Sequence, residues 1–321
     1  MFKFPLNVEI DLTNKCNYNC LYCRNGKIID KSELDIFTIK KIVEELKKNN
    51  IFSVNLSGGE PLLHSHFVEI IELFYNNGIT WNLTTNGSLI DEEMAILLKK
   101  NNINSLFITL TGMSDDLDSF HKKGVNTFSK IMQCVNLCNK ININLILGFL
   151  LTSRNINDIE KFAYFVKENH IKAKIMKIKP LGNSLLNQNL YIDDKEYLNI
   201  INDIKDILGE NLIIGEQNED IEDINCMAGI TSCVIGADGY VYPCVMFLGY
   251  PSVRCGSIKE QSLFNIWNNS NILKEFRKPR QFENKCNRCS KRSRCNGGCR
   301  GKAFIQKGNY IKVECGGSND L

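Results

Sequence analysis

The chain has little net charge, no long apolar run and no secretory start, and each absence narrows what it can be. Thirty-nine lysines and arginines stand against thirty-six acidic residues in 321, a formal charge of +3, so composition calls for no obligate polyanionic partner. No apolar stretch approaches the roughly 20 residues that a membrane-spanning helix needs, which argues against a membrane partner. The opening MFKFPLNVEIDLTNKC has too short an apolar segment for a secretory signal, and the expected location is cytoplasmic. A hydrophobic content of 43% is enough for a sizeable core, in one large domain plus a smaller one. The many Asn, Ile and Lys residues read as biased base composition and suggest no mechanism.

Cysteine, by contrast, is abundant, with fourteen residues. In a reducing compartment that number argues for metal or cluster ligation over disulfides. Cys16, Cys20 and Cys23 form a C-x3-C-x2-C run inside KCNYNCLYCRNG. Three thiolates leave one iron of a four-iron cube open to another ligand. By spacing alone, the same triplet is equally a zinc pattern. Nine more cysteines lie beyond residue 225: Cys226, then Gly239 after twelve residues and Cys244 after four more, with Cys233 between; Cys255; the run Cys286-x2-Cys289-x5-Cys295-x3-Cys299; and Cys315. Pairs of the C-x2-C type are also common zinc knuckles.

The first two-thirds of the chain alternates strand-like and helix-like segments, the pattern of repeated β–α units around a parallel sheet. Strands are expected at 8–12, 53–57, 80–84, 105–110, 142–150 and 173–179, and helices at 36–48, 67–76, 91–100, 128–139, 156–168 and 193–208. In such folds, sites gather at the carboxyl edge of the strands. The cysteine triplet follows the first strand, Ser57-Gly58-Gly59-Glu60-Pro61 the second and Thr84-Thr85-Asn86-Gly87 the third. The acidic stretch 216–223 looks like a linker, giving a barrel at 1–209, a linker at 210–225 and a cysteine-rich domain at 226–321. Cys134 and Cys138, four apart in an apolar helical stretch, read as core residues. His64 and His66 read as loop residues.

The triplet, the Gly-Gly-Glu-Pro segment and their positions resemble the radical S-adenosylmethionine (radical SAM) superfamily, and the carboxy-terminal cysteine spacings resemble its SPASM extension. The resemblance implies an α/β fold, a partial (β/α)6 TIM-like barrel followed by a small cysteine-rich SPASM domain, with S-adenosylmethionine and three [4Fe–4S] clusters as cofactors. Cys16, Cys20 and Cys23 would hold the cluster that cleaves S-adenosylmethionine to a 5′-deoxyadenosyl radical. Gly58, Gly59, Glu60 and Pro61 would close against the cofactor's amino group, glycine allowing close approach and a carboxylate supporting a cation. Asn86, Thr109 and Thr111 would lie near its ribose or carboxylate. Here the chain departs from relatives that read Ser-Leu-Asp-Gly where it has Thr109-Leu110-Thr111-Gly112, and a frequent downstream arginine is replaced by the neighbourhood of Lys122-Lys123-Gly124. By position, Cys226, Cys233, Cys244 and Cys299 would hold a first auxiliary cluster, and Cys286, Cys289, Cys295 and Cys315 a second. Cys255 is either a loop thiol or a hydrogen-atom donor to a substrate radical.

Relatives with this domain most often modify ribosomally synthesised peptides by crosslinking, oxidation or epimerisation, so a peptide substrate is expected. The alternative is a small molecule, such as a haem precursor or a sugar-derived alcohol. Sulfatase-maturing relatives place an Asp directly after the cysteine matching Cys244, and here that residue is Val245. Only fifteen residues precede Cys16, so a separate leader-peptide-binding protein is an expected partner. Eleven basic residues against two acidic ones between Lys274 and Lys302 read as offsetting the anionic clusters and as a dock for a flavodoxin- or ferredoxin-type reductant. Without a recognisable RNA-binding module, nucleic acid is disfavoured.

Overall fold

The computed structural model describes residues 2–26, 28, 30–213, 226–282, 284–290, 292 and 297–313. Six parallel strands, β1 (Asn7–Thr13), β2 (Ser53–Gly58), β3 (Trp81–Thr85), β4 (Ser105–Leu110), β5 (Leu145–Leu151) and β6 (Lys172–Lys177), lie side by side in sequence order. Helices α1 (Ile36–Lys48), α2 (Phe67–Asn76), α3 (Glu92–Lys100), α4 (Asp115–Lys122), α5 (Thr127–Ile141), α6 (Ile159–Glu168) and α7 (Asp194–Leu208) cover one face. Strand alternation sorts the side chains. On β4, Leu106, Ile108 and Leu110 are buried in the helix-side core, while Ser105, Phe107 and Thr109 stand half-buried on the other face. This is the partial barrel that the sequence leads one to expect.

Helix ends show a repeated device. Asn49, Asn77, Asn101 and Asn169 cap α1, α2, α3 and α6, and each side-chain amide donates to the carbonyl four residues earlier, at 2.8–3.0 Å. The next residue, Asn50, Gly78, Asn102 or His170, takes a left-handed backbone conformation. That geometry satisfies last-turn carbonyls which the helix cannot reach. The asparagines therefore carry a structural role that bulk composition does not suggest. Asn142, also left-handed, ends α5 and delays β5 to Leu145, three residues later than expected.

The cysteine-rich segment continues the barrel sheet. Strand β7 (Ser232–Ile235) pairs in parallel with β1, and β8 (Tyr240–Tyr242) and β9 (Gly256–Ser257) follow antiparallel. Nine strands thus run in the order β6-β5-β4-β3-β2-β1-β7-β8-β9. Helices α8 (Leu263–Asn269) and α9 (Asn271–Arg277) fasten this extension to the barrel. The Leu263 and Phe264 amides both donate to the Glu45 carboxylate of α1 at 3.0 Å, and the Trp267 indole donates to the Phe2 carbonyl at 3.0 Å. Residues 210–213 still belong to the barrel edge, with the Ile213 amide donating to Ala173 O at 2.8 Å; the remainder of the expected linker lies outside the described residues. Among those described, no helix is long and apolar enough to cross a membrane.

Candidate active site

Beyond β1 the chain turns into the loop of Cys16, Cys20 and Cys23, whose shape is set by contacts from four other segments. Glycine is required where the loop after β2 approaches. A Cβ on Gly58 would stand 2.4 Å from Thr13 O, and one on Gly59 2.3 Å from Lys15 O. Gly58 also has φ +139, a region that other residues rarely enter. The amides of Gly59 and Glu60 donate to Thr13 O and Lys15 O at 2.7 and 2.8 Å. The Gly-Gly-Glu-Pro segment is thereby stitched to the residues just ahead of Cys16.

Glu60 is fully buried. Its carboxylate accepts from the Thr85 hydroxyl (2.7 Å), the Asn86 amide (2.9 Å) and the Leu62 amide (3.1 Å). Burial raises its pKa while these three donors oppose the shift. The carboxylate joins the ends of β2 and β3, and none of its three donors is a cation. The Asn86 side chain reaches the cysteine loop through Asn17 Oδ1 at 2.8 Å. Thr111 is completely buried, and its hydroxyl and amide both donate to Asp118 at 2.8 Å. Thr109 stands on the open face of β4.

Helix α4 supports the loop from below, in a stretch where the sequence pattern predicts no element. Its signals were local: Ser114 accepts from Leu117 N, acidic residues fill the first turn, and Asp118 and Lys122 stand at i and i+4. Both are buried, 3.0 Å apart. Lys122 also donates to Thr109 O at 2.8 Å, and Asp118 accepts from Thr127 at 2.5 Å. The pair can be kept in the interior because every charge finds a partner. The carbonyls of His121 and Lys122 accept from Leu21 and Asn19 at 2.8 and 3.2 Å, so α4 sets the height of Cys20. Lys122 is thus a buried cation close beneath the cysteine loop.

After β6, Gly182 and Asn183 close the far side. A Cβ on Gly182 would meet Cys23 O and Arg24 O at 2.3 Å, and Asn183 donates its backbone amide to Cys23 O at 2.9 Å and its side chain to Cys20 O at 3.0 Å. Arg24 turns into the barrel, bonding Glu9 at 2.7 Å, Asp11 at 2.8 Å and Ser57 at 3.2 Å. Burial outweighs Arg24 and holds the Asp11 carboxyl up at about 6. A basic residue directly after Cys23 and acids at alternate positions on β1 were the available sequence signals.

The three thiols lie within one another's electrostatic reach. Burial pushes Cys20 up to about 12, with Cys23 and Cys16 adding to the rise and Lys122 opposing it. The Tyr18 amide points at Cys16 Sγ from 3.5 Å. The three thiols are not drawn together tightly enough to hold a single metal ion, as no group of described residues is; soft donors on one loop, with backbone amides aimed at sulfur and glycines on one side, fit the wider span of an iron–sulfur cluster.

The carboxy-terminal cysteines fall into separate groups. Cys226, Cys244 and Cys299 pack against one apolar cluster, which includes Leu181, Val234, Met246 and Phe247. A Cβ on Gly301 would meet Met246 Cβ at 2.2 Å, so the helix Arg300–Lys307 that begins after Cys299 sits hard against the turn after Cys244. Burial pushes Cys244 up to about 12, the nearby Cys226 and Cys299 thiolates add to this, and Lys179 opposes it. Lys179 follows β6, so this group faces the barrel's carboxyl edge. Cys233 is not among them. It lies in the main core with Cys255, and the charges acting on it are Cys255 and Arg277. Cys255 is 8% exposed and turned towards Val253 O at 3.8 Å. This places the thiol in the main core, packed as a loop residue would be. Cys286 is half-buried and Cys289 exposed, while Cys295 and Cys315 lie outside the described residues. Cys134 and Cys138 are buried in α5, as expected.

Comparison with known proteins bears on this geometry. A family model described as the radical SAM superfamily matches residues 10–166, and one for the SPASM iron–sulfur cluster-binding domain matches 226–290. The AdoMet-dependent heme synthase of Methanosarcina barkeri is 24% identical over 343 residues, covering 98% of this chain and 96% of that protein. Mycofactocin maturase MftC of Mycobacterium tuberculosis is 25% identical over 317 residues, covering 94% and 80%. Among solved structures, Streptococcus suis SuiB bound to S-adenosylmethionine has a TM-score of 0.82 at 19% identity, covering 98% of this chain and 77% of SuiB. SuiB is also known bound to its precursor peptide SuiA, with a TM-score of 0.81.

Proposed function

The chain belongs to the radical SAM superfamily, as an enzyme with a SPASM domain that uses iron–sulfur and S-adenosylmethionine chemistry, and from that premise we propose that it modifies a ribosomally synthesised peptide within its half-open barrel. When bound, the [4Fe–4S] cluster and S-adenosylmethionine supply a 5′-deoxyadenosyl radical able to take hydrogen from an unactivated C–H bond. In this reading Cys16, Cys20 and Cys23 hold that cluster. Gly58, Gly59 and Pro61 present backbone to the cofactor's amine, and Asn86 and Thr109 border its sugar and carboxylate. Glu60 is a positioning residue that keeps Asn86 against the cysteine loop. Cys226, Cys244 and Cys299 belong to a first auxiliary cluster, and Cys286, Cys289, Cys295 and Cys315 to a second, making three clusters in all. A flavodoxin- or ferredoxin-type protein supplies electrons, and a separate protein presents the leader peptide.

The observation that carries the peptide reading is the lining of the barrel's open face. Asn55, Asn82, Thr84, Ser105, Thr109 and Lys174 alternate out of the core there and are only half-buried. Asn55, Asn82, Thr84 and Ser105 bond to one another or to backbone within the sheet. With Phe107 beside them they give a mixed polar and aromatic lining, of the kind that suits a peptide, whose amides need partners once desolvated. The match of MftC and the fold shared with SuiB lend support. A second reading, a haem-precursor decarboxylation, is favoured by the heme synthase match, which extends over nearly the whole of both chains.

The test is anaerobic incubation of the reconstituted enzyme with S-adenosylmethionine, reductant and short peptides encoded beside its gene. The peptide reading expects 5′-deoxyadenosine together with a peptide mass or isotope change, both lost in the Cys16→Ala, Cys20→Ala, Cys23→Ala variant. Formation of 5′-deoxyadenosine with every peptide unchanged, and carboxyl loss from a tetrapyrrole instead, would overturn it in favour of the second reading.

A further inference from the structure

We propose that the rim formed by Lys123, Val125, Arg154 and Leu186 is a docking face for an acidic, flavin-bearing electron carrier. The inference rests on the reading that the neighbouring loop of Cys16, Cys20 and Cys23 holds a cluster. The sequence points instead to the basic run between Lys274 and Lys302, but the structure uses much of that run elsewhere.

Arg277 lies over the Trp267 ring at 4.2 Å and donates to Gly229 O at 2.8 Å. Arg300 is buried, its guanidinium 5.1 Å from the centre of the Phe276 ring. Lys278 pairs with Glu275, and Arg292 stands over Phe282 at 4.5 Å and donates to Asn287 at 3.0 Å. Cations held in this way brace the fold and present little free charge to a partner.

On the rim the cations are placed differently. Lys123 Nζ and the Arg154 guanidinium both approach one ring, Phe120, at 4.8 and 4.5 Å. Both residues are exposed, and among the described residues neither has a carboxylate within ion-pair distance. Two like charges on one ring repel, and an anionic partner relieves that repulsion. Asp116, one turn ahead of Phe120, is exposed as well, and the face keeps an excess of positive charge. Val125 and Leu186 are 73% and 75% exposed. Single exposed apolar side chains are ordinary, but these two flank cations that lack partners. Ser153 N and Oγ donate to Leu190 O and Asn189 O at 3.1 and 2.7 Å, which brings the Arg154 turn against the segment that follows Leu186.

The rim is fixed to the cysteine loop. The amides of Leu21 and Asn19 donate to His121 O and Lys122 O, just ahead of Lys123, and Asn187, just after Leu186, donates to Leu21 O at 3.1 Å. Both chain neighbours of Cys20 are therefore held by the elements that carry the face. An acidic carrier is drawn to such a surface before contact, and an exposed flavin edge offers apolar area to Val125 and Leu186. The carrier's flavin is oxidised by one electron and the cluster held by the loop is reduced by one, with no atom transferred.

The experiment titrates the anaerobically reconstituted full chain with a flavodoxin and reads affinity by calorimetry. Lys123→Glu with Arg154→Glu is expected to weaken binding about tenfold or more, and the milder Lys123→Gln with Arg154→Gln about threefold. Leu186→Ser is expected to weaken it about fivefold, and Lys274→Glu with Lys302→Glu less than about twofold. Raising salt from about 0.01 M to about 1 M shortens the screening length from about 30 Å to about 3 Å; it should remove most of the wild-type affinity and little of what the doubly reversed variant retains. Circular dichroism and thermal midpoint check that each variant is folded. Wild-type affinity in both rim double variants overturns the inference, as does a loss confined to Lys274→Glu with Lys302→Glu, or no binding by the wild type. Dithionite, a small reductant that needs no docking, separates the inference from the reading beneath it. Arg154→Glu should keep dithionite-driven 5′-deoxyadenosine formation and lose flavodoxin-driven formation by about tenfold. A wild type that binds flavodoxin at this face yet makes no 5′-deoxyadenosine with dithionite refutes the cluster reading, and electron delivery with it.

Discussion

Two buried carboxyls near the cysteine loop do opposite things with their burial. Glu60 is surrounded by donors and acts as a tie between two strand ends. Asp11 shares one guanidinium with Glu9 and is held at about 6, above the ordinary 3.8, because desolvation exceeds the help it receives from Arg24. A folded-state pKa above the unfolded one means the native chain binds the extra proton between those values. The associated stability is therefore complete below about pH 4 and is lost as pH rises through 6. Urea denaturation of the metal-free protein at pH 4 and pH 7 should show the wild type losing on the order of 1–3 kcal/mol relative to Asp11→Asn. Equal pH slopes in the two proteins would contradict this. The glycines of 58–59 were legible in the sequence because a Gly-Gly pair after a strand signals close approach. The partners of Glu60 were not, since Thr85 and Asn86 lie twenty-five and twenty-six residues away and no local pattern links them.

Element by element, helices were legible where a cap and an apolar stripe coincide. Segments 36–48 and 67–76 end where expected, at the Asn49 and Asn77 caps. Helix α4 escaped because it is short and polar, and its buried face is made of Asp118, His121 and Lys122, residues that a hydrophobic period reads as solvent-facing. The asparagine caps make a quantitative claim. Asn101→Ala removes a 3.0 Å bond to Leu97 O from a buried site and should lower stability by about 1 kcal/mol. Asn102→Gly, at φ +54, should leave stability unchanged or raise it by a few tenths of a kcal/mol. Thermal denaturation of both variants checks the pair, and a loss of similar size in each would rule out the capping role.

Over the whole molecule, the order of β–α units could be read from the chain, but the junction of its two parts could not. The four residues of β7 carry no long-range signal, yet their parallel pairing with β1 fuses the cysteine-rich region to the barrel. Glu45 reinforces the junction by capping α8 across more than two hundred residues of chain. Glu45→Ala should loosen α8 and α9 by about 1–2 kcal/mol. Hydrogen exchange should report this as faster exchange in 263–277, with β2–β5 unaffected; uniform acceleration would indicate global destabilisation instead. The shared sheet also sets a timetable for synthesis. Until residue 235 has left the ribosome, β1 displays a bare row of amides and carbonyls, the kind of edge that recruits strands from other chains. The barrel acquires its finished surface only when its last partner strand is made, so a gene fragment ending near residue 209 should yield aggregates, not a smaller enzyme.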